Sequence, residues 1–174
     1  MVTVPTLETE RLLLRPWRAE DCQPFSVLCA DAELARYVGG VMDRPAAWRR
    51  MAAYAGHWSL RGYGPWALEE KATGQFVGYS GVFAPDGWPE PEINWGLART
   101  YLGRGLVTEA ATRDYAYDVL GFTTIASCID LENTASIAVA TRLGATLDRE
   151  ITFFDRPGGV FRHVAPGDRS NVST

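Results

Sequence analysis

Residues 95–111 read WGLARTYLGRGLVTEAA: Gly103 and Gly105 flank Arg104, and a helical pattern follows. Glycines there let the backbone come close to a ligand, and a helix starting near Gly105 or Leu106 points several unpaired N–H groups at the same spot. The partial positive charge of a helix start suits a phosphate or pyrophosphate, with Arg104 adding a full charge. An ordinary strand-to-helix turn, capped with help from Thr108 or Glu109, fits the same letters. Two familiar phosphate-binding patterns bear on the choice. The chain has no Gly-Lys pair, which excludes a GxxxxGK[ST] loop. A dinucleotide fingerprint is met in part by Gly103-Arg104-Gly105-Leu106-Val107-Thr108 with Asp130 closing the next strand, although Thr108 stands where a third glycine belongs.

Other side chains offer chemistry more weakly. Cys128 sits in an apolar stretch and reads as a small core residue; as a nucleophile it would need a base, and neither His57 nor His163 is near it in sequence. The six tryptophans read mostly as core, with Trp88 the one placed near a substrate.

The elements that must position these residues alternate along the chain. ERLLLRP (10–16) predicts a first strand stopped by proline. Residues 19–37 predict two short helices broken near Ala30 and Asp31, and Pro45 opens a third with Trp48, Met51, Ala52 and Ala55 on one face. PWALEEKATGQFVGYSGVF predicts a hairpin turning at KATGQ. After the loop APDGWPEPE, EINWGLA predicts a strand, Gly105 to about Leu120 one helix stopped by Gly121, and TTIASCID another strand. ENTASIAVATRLGA predicts a helix ended by Gly144, followed by the strand TLDREITFF, a turn at DRPGG and a short VFRHV. An antiparallel front half leading into a βαβ centre is an α/β (α+β) fold: a mixed, mostly antiparallel central sheet flanked by helices.

Composition narrows the function classes. With 174 residues, 47% of them apolar, the chain suits one domain over 1–174, with a core at about 8–165 and a tail expected to be flexible at 166–174. A net charge of −4 without any Lys/Arg block leaves no electrostatic footprint for nucleic acid. Apolar runs are too short to span a membrane and the N-terminus does not read as a leader, so a soluble cytoplasmic protein is expected. Cys22, Cys29 and Cys128 are odd in number and lack metal spacing, so neither disulfides nor a metal site is expected.

From Glu8 to about Val164 the ordered series LETERLLLRPWRAEDC, VGYSGV, EINWGLARTYLGRGLVTEAA and ENTASIAVATRLGA resembles the GCN5-related N-acetyltransferases (GNAT), and within them the ribosomal-protein alanine acetyltransferase (RimJ/RimL)-like branch. The family motif Gln/Arg-x-x-Gly-x-Gly/Ala falls on Leu102 to Val107; Gly105 matches, while Leu102 replaces Gln/Arg and Val107 replaces the small last residue. The resemblance implies acetyl-CoA as co-substrate and a central βαβ unit that binds it. Its pantetheine arm would lie between splayed strands against the backbone of Leu97, Ala98 and Arg99. Its pyrophosphate would rest on the N–H groups of Arg104, Gly105, Leu106, Val107 and Thr108. Asn133 matches the family asparagine that contacts pantetheine or the active site, although plain N-capping accounts for it too.

The implied reaction is direct attack by a primary amine on the acetyl thioester in a ternary complex. An ammonium has no lone pair, so a base is needed; Glu92 stands where this branch often carries a glutamate. Ser136, where the branch commonly has a serine, would hydrogen-bond the coenzyme sulfur. Ala140 occupies the position at which many relatives carry a proton-donating tyrosine. The acceptor implied is a protein N-terminus or a small-molecule amine, and a homodimer is open. Two competing readings are a non-catalytic CoA-binding module and a dinucleotide-binding oxidoreductase.

Overall fold

Alternating apolar letters generate the sheet, and the helix signals generate its cover. The computed structural model describes residues 3–110 and 112–165, so the tail expected at 166–174 lies outside the described residues. Strand β1 (Leu7–Glu8), too short to leave a pattern, precedes β2 (Leu12–Arg15), in which Leu12 and Leu14 are buried. Two short helices follow, α1 (Cys22–Ala30) and α2 (Ala32–Ala35); Asp31 separates them because its carboxylate accepts the N–H groups of Glu33 and Leu34. Helix α3 (Arg44–Arg61) starts at Asp43, which accepts the Ala46 N–H, and stops at Gly62 in a left-handed conformation.

Then come β3 (Pro65–Glu70), β4 (Gln75–Phe83), β5 (Glu92–Leu97), α4 (Leu106–Glu109), α5 (Arg113–Asp118), β6 (Ala126–Asp130), α6 (Thr134–Arg142), β7 (Thr146–Phe153) and β8 (Arg156–Arg162). The eight strands form one sheet in the order β1-β2-β3-β4-β5-β6-β8-β7. Every neighbouring pair is antiparallel except β5–β6. This is the mixed, mostly antiparallel sheet expected from the sequence, with the parallel βαβ step at its centre. Among the described residues no helix is long and apolar enough to cross a membrane.

Two expectations are corrected. The single helix from Gly105 to Leu120 is two helices, α4 and α5. The second begins after Thr112, a buried β-branched residue whose hydroxyl has no partner, and ends at Asp118, just ahead of the left-handed Gly121. The last turn is not DRPGG but the two residues Phe154 and Asp155, with φ of 51° and 57°. A two-residue hairpin needs positive φ at both positions. Pro157 fits inside β8 because its carbonyl accepts the Leu131 N–H on the β6 side, so the missing proline N–H leaves the β7 ladder intact.

One irregularity matters for function. Strands β5 and β6 pair at Glu92 and Ala126 and then part. The Ala98 N–H donates to the Val77 carbonyl at 2.9 Å, so even-numbered residues of this segment turn their peptide groups toward β4. The odd-numbered ones face the gap. Ile93 has its carbonyl satisfied by the Ser127 hydroxyl at 2.7 Å, which leaves the peptide groups of Trp95 and Leu97 along an open strand edge. A Cβ at Gly96 would lie 2.5 Å from a carbon of the Tyr79 ring, so glycine there lets that ring pack flat on the strand.

Candidate active site

A groove of about 810 Å³ opens where the strands part. Leu97, Gly105, Leu106, Val107, Thr108, Asn133 and Ser136 all line it, so most of the residues singled out in the sequence are brought together. Gly103 and Gly105 take φ of 72° and 75°. A Cβ at Gly103 would meet nothing within 4 Å, and one at Gly105 only the Arg11 guanidinium at 3.7 Å. Glycine is therefore demanded by left-handed backbone rather than by crowding from the protein. The first intrahelical bond runs from the Glu109 N–H to the Gly105 carbonyl, so the N–H groups of Leu106, Val107 and Thr108 are left at the helix start.

Ala98, Arg99 and Arg104 do not line the groove. Ala98 spends its N–H on Val77, and Arg99 is ion-paired with Asp31 and Glu33. Arg104 donates to Glu70 at 2.6 Å, so its charge does not add to the helix start as the sequence suggested.

The glycine loop is held from behind by Glu109, read in the sequence only as a capping residue, together with Thr9 and Arg11, which sequence reasoning missed. Glu109 accepts the Thr9 hydroxyl, the Arg11 backbone N–H at 2.7 Å and the Arg11 guanidinium, and Arg11 also donates to the Arg104 carbonyl at 2.9 Å. Burial would raise the Glu109 carboxyl, but the bonds from Thr9 and Arg11 outweigh it and hold the group below its usual range. Replacing Glu109 by Gln removes the charge that Arg11 faces. The expected result is a loss of about 1 kcal/mol in stability and a several-fold weaker grip on a ligand bound at the loop, both readable by calorimetry.

A smaller cavity of about 110 Å³ adjoins the groove, with Tyr79, Trp95, Asn133 and Ser136 among the residues lining both. Glu92 forms part of its floor, 5% exposed. Burial pushes its carboxyl up to about 7, moderated by the Cys128 N–H it accepts at 3.0 Å. That bond has a structural origin: where the ladder fails, the Glu92 side chain takes the N–H that a strand carbonyl would otherwise accept. The buried Trp88 indole N–H faces the same carboxyl and also works against the rise, although it lies outside regular hydrogen-bond geometry. Trp88, Phe153 and Phe154 form an aromatic wall, with ring centroids 4.4–5.8 Å apart.

Asn133 caps α6 by accepting the Ser136 N–H at 3.1 Å, so the capping role is filled and its amide NH2 is left for other partners. Its replacement by Ala is expected to cost about 1 kcal/mol of stability, measurable as a lower denaturant midpoint.

Cys128 and Ser127 also line the cavity, and neither is activated as a nucleophile. Burial pushes the Cys128 thiol far up, and the Glu92 and Glu90 charges add to the rise. Ser127 Oγ lies 2.9 Å from His163 Nε2, but it donates to the Ile93 carbonyl. That leaves the imidazole to donate from Nε2, and its Nδ1 is buried without a partner. Burial also lowers His163 to about 4. A serine–base pair needs the opposite tautomer and an orienting acid. His57 is likewise engaged, between the Tyr63 carbonyl and the Ala84 N–H.

The site's composition has counterparts among known proteins. An acetyltransferase (GNAT) domain model matches residues 11–146. The protein YkkB of Bacillus subtilis is 31% identical over 165 residues, covering 89% of this chain and 93% of its own. The crystal structure of an acetyltransferase from Agrobacterium tumefaciens is 32% identical with a TM-score of 0.85, covering 93% of this chain and 95% of that one. RimL, a ribosomal L7/L12 α-N-protein acetyltransferase solved in complex with coenzyme A, shares the fold with a TM-score of 0.76 at 16% identity, over 94% of this chain and all of that one. Family match, close relative and fold agree, and the chain belongs to the GNAT acetyltransferase family.

Proposed function

We propose that this protein is an acetyl-CoA-dependent N-acetyltransferase of the RimJ/RimL-like branch, acting in the cytoplasm on a primary amine. The observation that carries the reading is Glu92: a buried carboxyl titrating at about 7, set at the point where β5 and β6 part, beside a groove with an open strand edge and a free helix start. The residues present fit the co-substrate. The peptide groups of Trp95 and Leu97 offer strand-like pairing to an extended amide chain, and the N–H groups of Leu106, Val107 and Thr108 suit a pyrophosphate. Bound acetyl-CoA would supply the thioester carbonyl as electrophile.

Glu92 takes a proton from the acceptor ammonium, which frees the lone pair that forms the N–C bond. As the C–S bond breaks, the Ser136 hydroxyl hydrogen-bonds the departing sulfur, which leaves as the thiol with the second amine proton. With Cys128 and Ser127 unactivated, direct attack is favoured over an acyl-enzyme.

A non-catalytic coenzyme-binding module is the second reading. Ala140 is fully buried, so α6 offers neither a tyrosine nor room for one at that point. The dinucleotide reading loses its basis: among the described residues only one strand pair is parallel, and Asp130 is committed to Arg156 rather than available to a ribose.

Titration calorimetry with acetyl-CoA, followed by a thiol-release assay over a panel of primary amines, separates the readings. Saturable binding with amine-dependent thiol release is expected. Binding without release supports the module, and no binding by the folded protein sinks both.

A further inference from the structure

The acceptor cavity is charged at two places. Glu92 lies at its floor beside Trp88, and Arg50 of α3 lines both this cavity and the groove. Among the described residues Arg50 has no carboxylate partner; it donates to the Val38 carbonyl at 3.1 Å and leaves the rest of its fork uncommitted. The third charged residue lining the cavity, Asp130, is neutralised by Arg156.

Two observations fix the layout. A Cβ built on Gly39 would lie 3.3 Å from the Phe154 ring and 3.8 Å from Arg50 Nη2, which puts the guanidinium near Phe154. Trp88, whose ring meets both Phe153 and Phe154, faces Glu92. The buried phenols of Tyr54 and Tyr79, raised chiefly by burial, feel both groups: Glu92 raises them and Arg50 lowers them. The tyrosine pair therefore lies within reach of both charges. Phe154 is held in a left-handed conformation that bulky residues rarely adopt, which keeps its ring on the wall.

Resting on the transferase reading, we propose that the acceptor is a small amino carboxylate with an apolar or aromatic skeleton, its amine directed to Glu92, its carboxylate to Arg50, and its carbon body along Trp88, Phe153 and Phe154. Arginine suits this task because its planar fork matches a carboxylate in two parallel hydrogen bonds. A protein N-terminus carries a neutral amide where this acceptor carries its anion, and would leave Arg50 without a partner.

The test compares three matched acceptors at fixed acetyl-CoA: L-phenylalanine, L-phenylalaninamide and a tripeptide amide beginning with phenylalanine. The free acid is expected to exceed both amides in kcat/KM by about tenfold or more, the worth of one charge-assisted hydrogen bond. Arg50→Met is expected to collapse the acid-to-amide ratio toward one, and Arg50→Lys to keep part of it. Calorimetric titration of acetyl-CoA into each variant is the second readout. If Arg50→Met weakens acetyl-CoA binding while the acid-to-amide ratio persists, Arg50 serves the coenzyme and the inference falls. Turnover of the amides equal to or above the acid overturns the inference and leaves the transferase reading standing. No thiol release from any of the three, with release from other primary amines of the panel, overturns the inference alone; no release from any amine overturns both.

Discussion

Glu92→Gln is expected to lower kcat by about a hundredfold or more, within the range contributed by a positioned general base. The same substitution is expected to stabilise the protein at alkaline pH. The carboxyl has an ordinary value of 4.5 and is pushed up to about 7 in the fold. Between those values the folded state holds a proton that the unfolded chain releases. The contribution of Glu92 to stability is therefore fully present below pH 4.5, declines as pH rises through 7, and is constant above it. The full difference is on the order of 3 kcal/mol. A glutamine carries no charge to desolvate, and its carbonyl can still accept the Cys128 N–H. The variant should melt above the parent at pH 8, and this advantage should vanish near pH 4.

The parent's kcat/KM should rise with pH through about 7 and lose that inflection in the variant; the acceptor amine titrates higher and contributes equally to both. A variant that is slower and also less stable at every pH would make Glu92 a structural acceptor for Cys128. One with parental turnover would remove it from the mechanism.

Much of this arrangement is legible in the sequence because local signals coincide with tertiary ones. Pro45 stands in the first turn of α3 and Gly62 ends it; KATGQ turns the β3–β4 hairpin; Gly103 and Gly105 mark the loop that the fold bends left-handed. What stays hidden depends on partners distant in the chain. Arg11 and Glu109 are 98 positions apart, and no periodicity links a strand-start arginine to a first-turn glutamate. Arg104 reads as a cation at a helix start, yet Glu70, on a strand two places away in the sheet, claims it. The aromatic wall is hidden for another reason. Phe153 and Phe154 look like the end of a strand, and only a two-residue turn with positive φ, an unusual conformation for phenylalanine, swings the second ring toward Trp88.

The titration of Glu92 is equally unreadable from EPEIN, since it arises from burial at the point where two strands part. The splay is itself a long-range feature, visible only in a pairing that stops after one residue.

Gly105→Glu is the corresponding test of the coenzyme end of the site, and its effect should separate into two parts. The first is backbone strain. Gly105 has φ of 75°, and an L side chain there costs about 1–2 kcal/mol; Gly105→Ala should show this part alone, because its Cβ would meet only Arg11 at 3.7 Å. The second part is charge. A carboxylate on residue 105 would stand beside the N–H groups of Leu106, Val107 and Thr108 and repel an incoming pyrophosphate. Like charges brought together at an interface cost several kcal/mol, enough for a loss of about a hundredfold or more in acetyl-CoA affinity. The Ala variant should lose far less. Circular dichroism and a thermal melt establish that each variant is folded, and calorimetry then reads the affinity. The glutamate also has a competing partner, since Arg11 can turn from Glu109 toward it, which would loosen the loop and deepen the loss. If folded Gly105→Glu binds acetyl-CoA as tightly as Gly105→Ala, no anion is held at α4, and the pyrophosphate must be sought elsewhere along the groove.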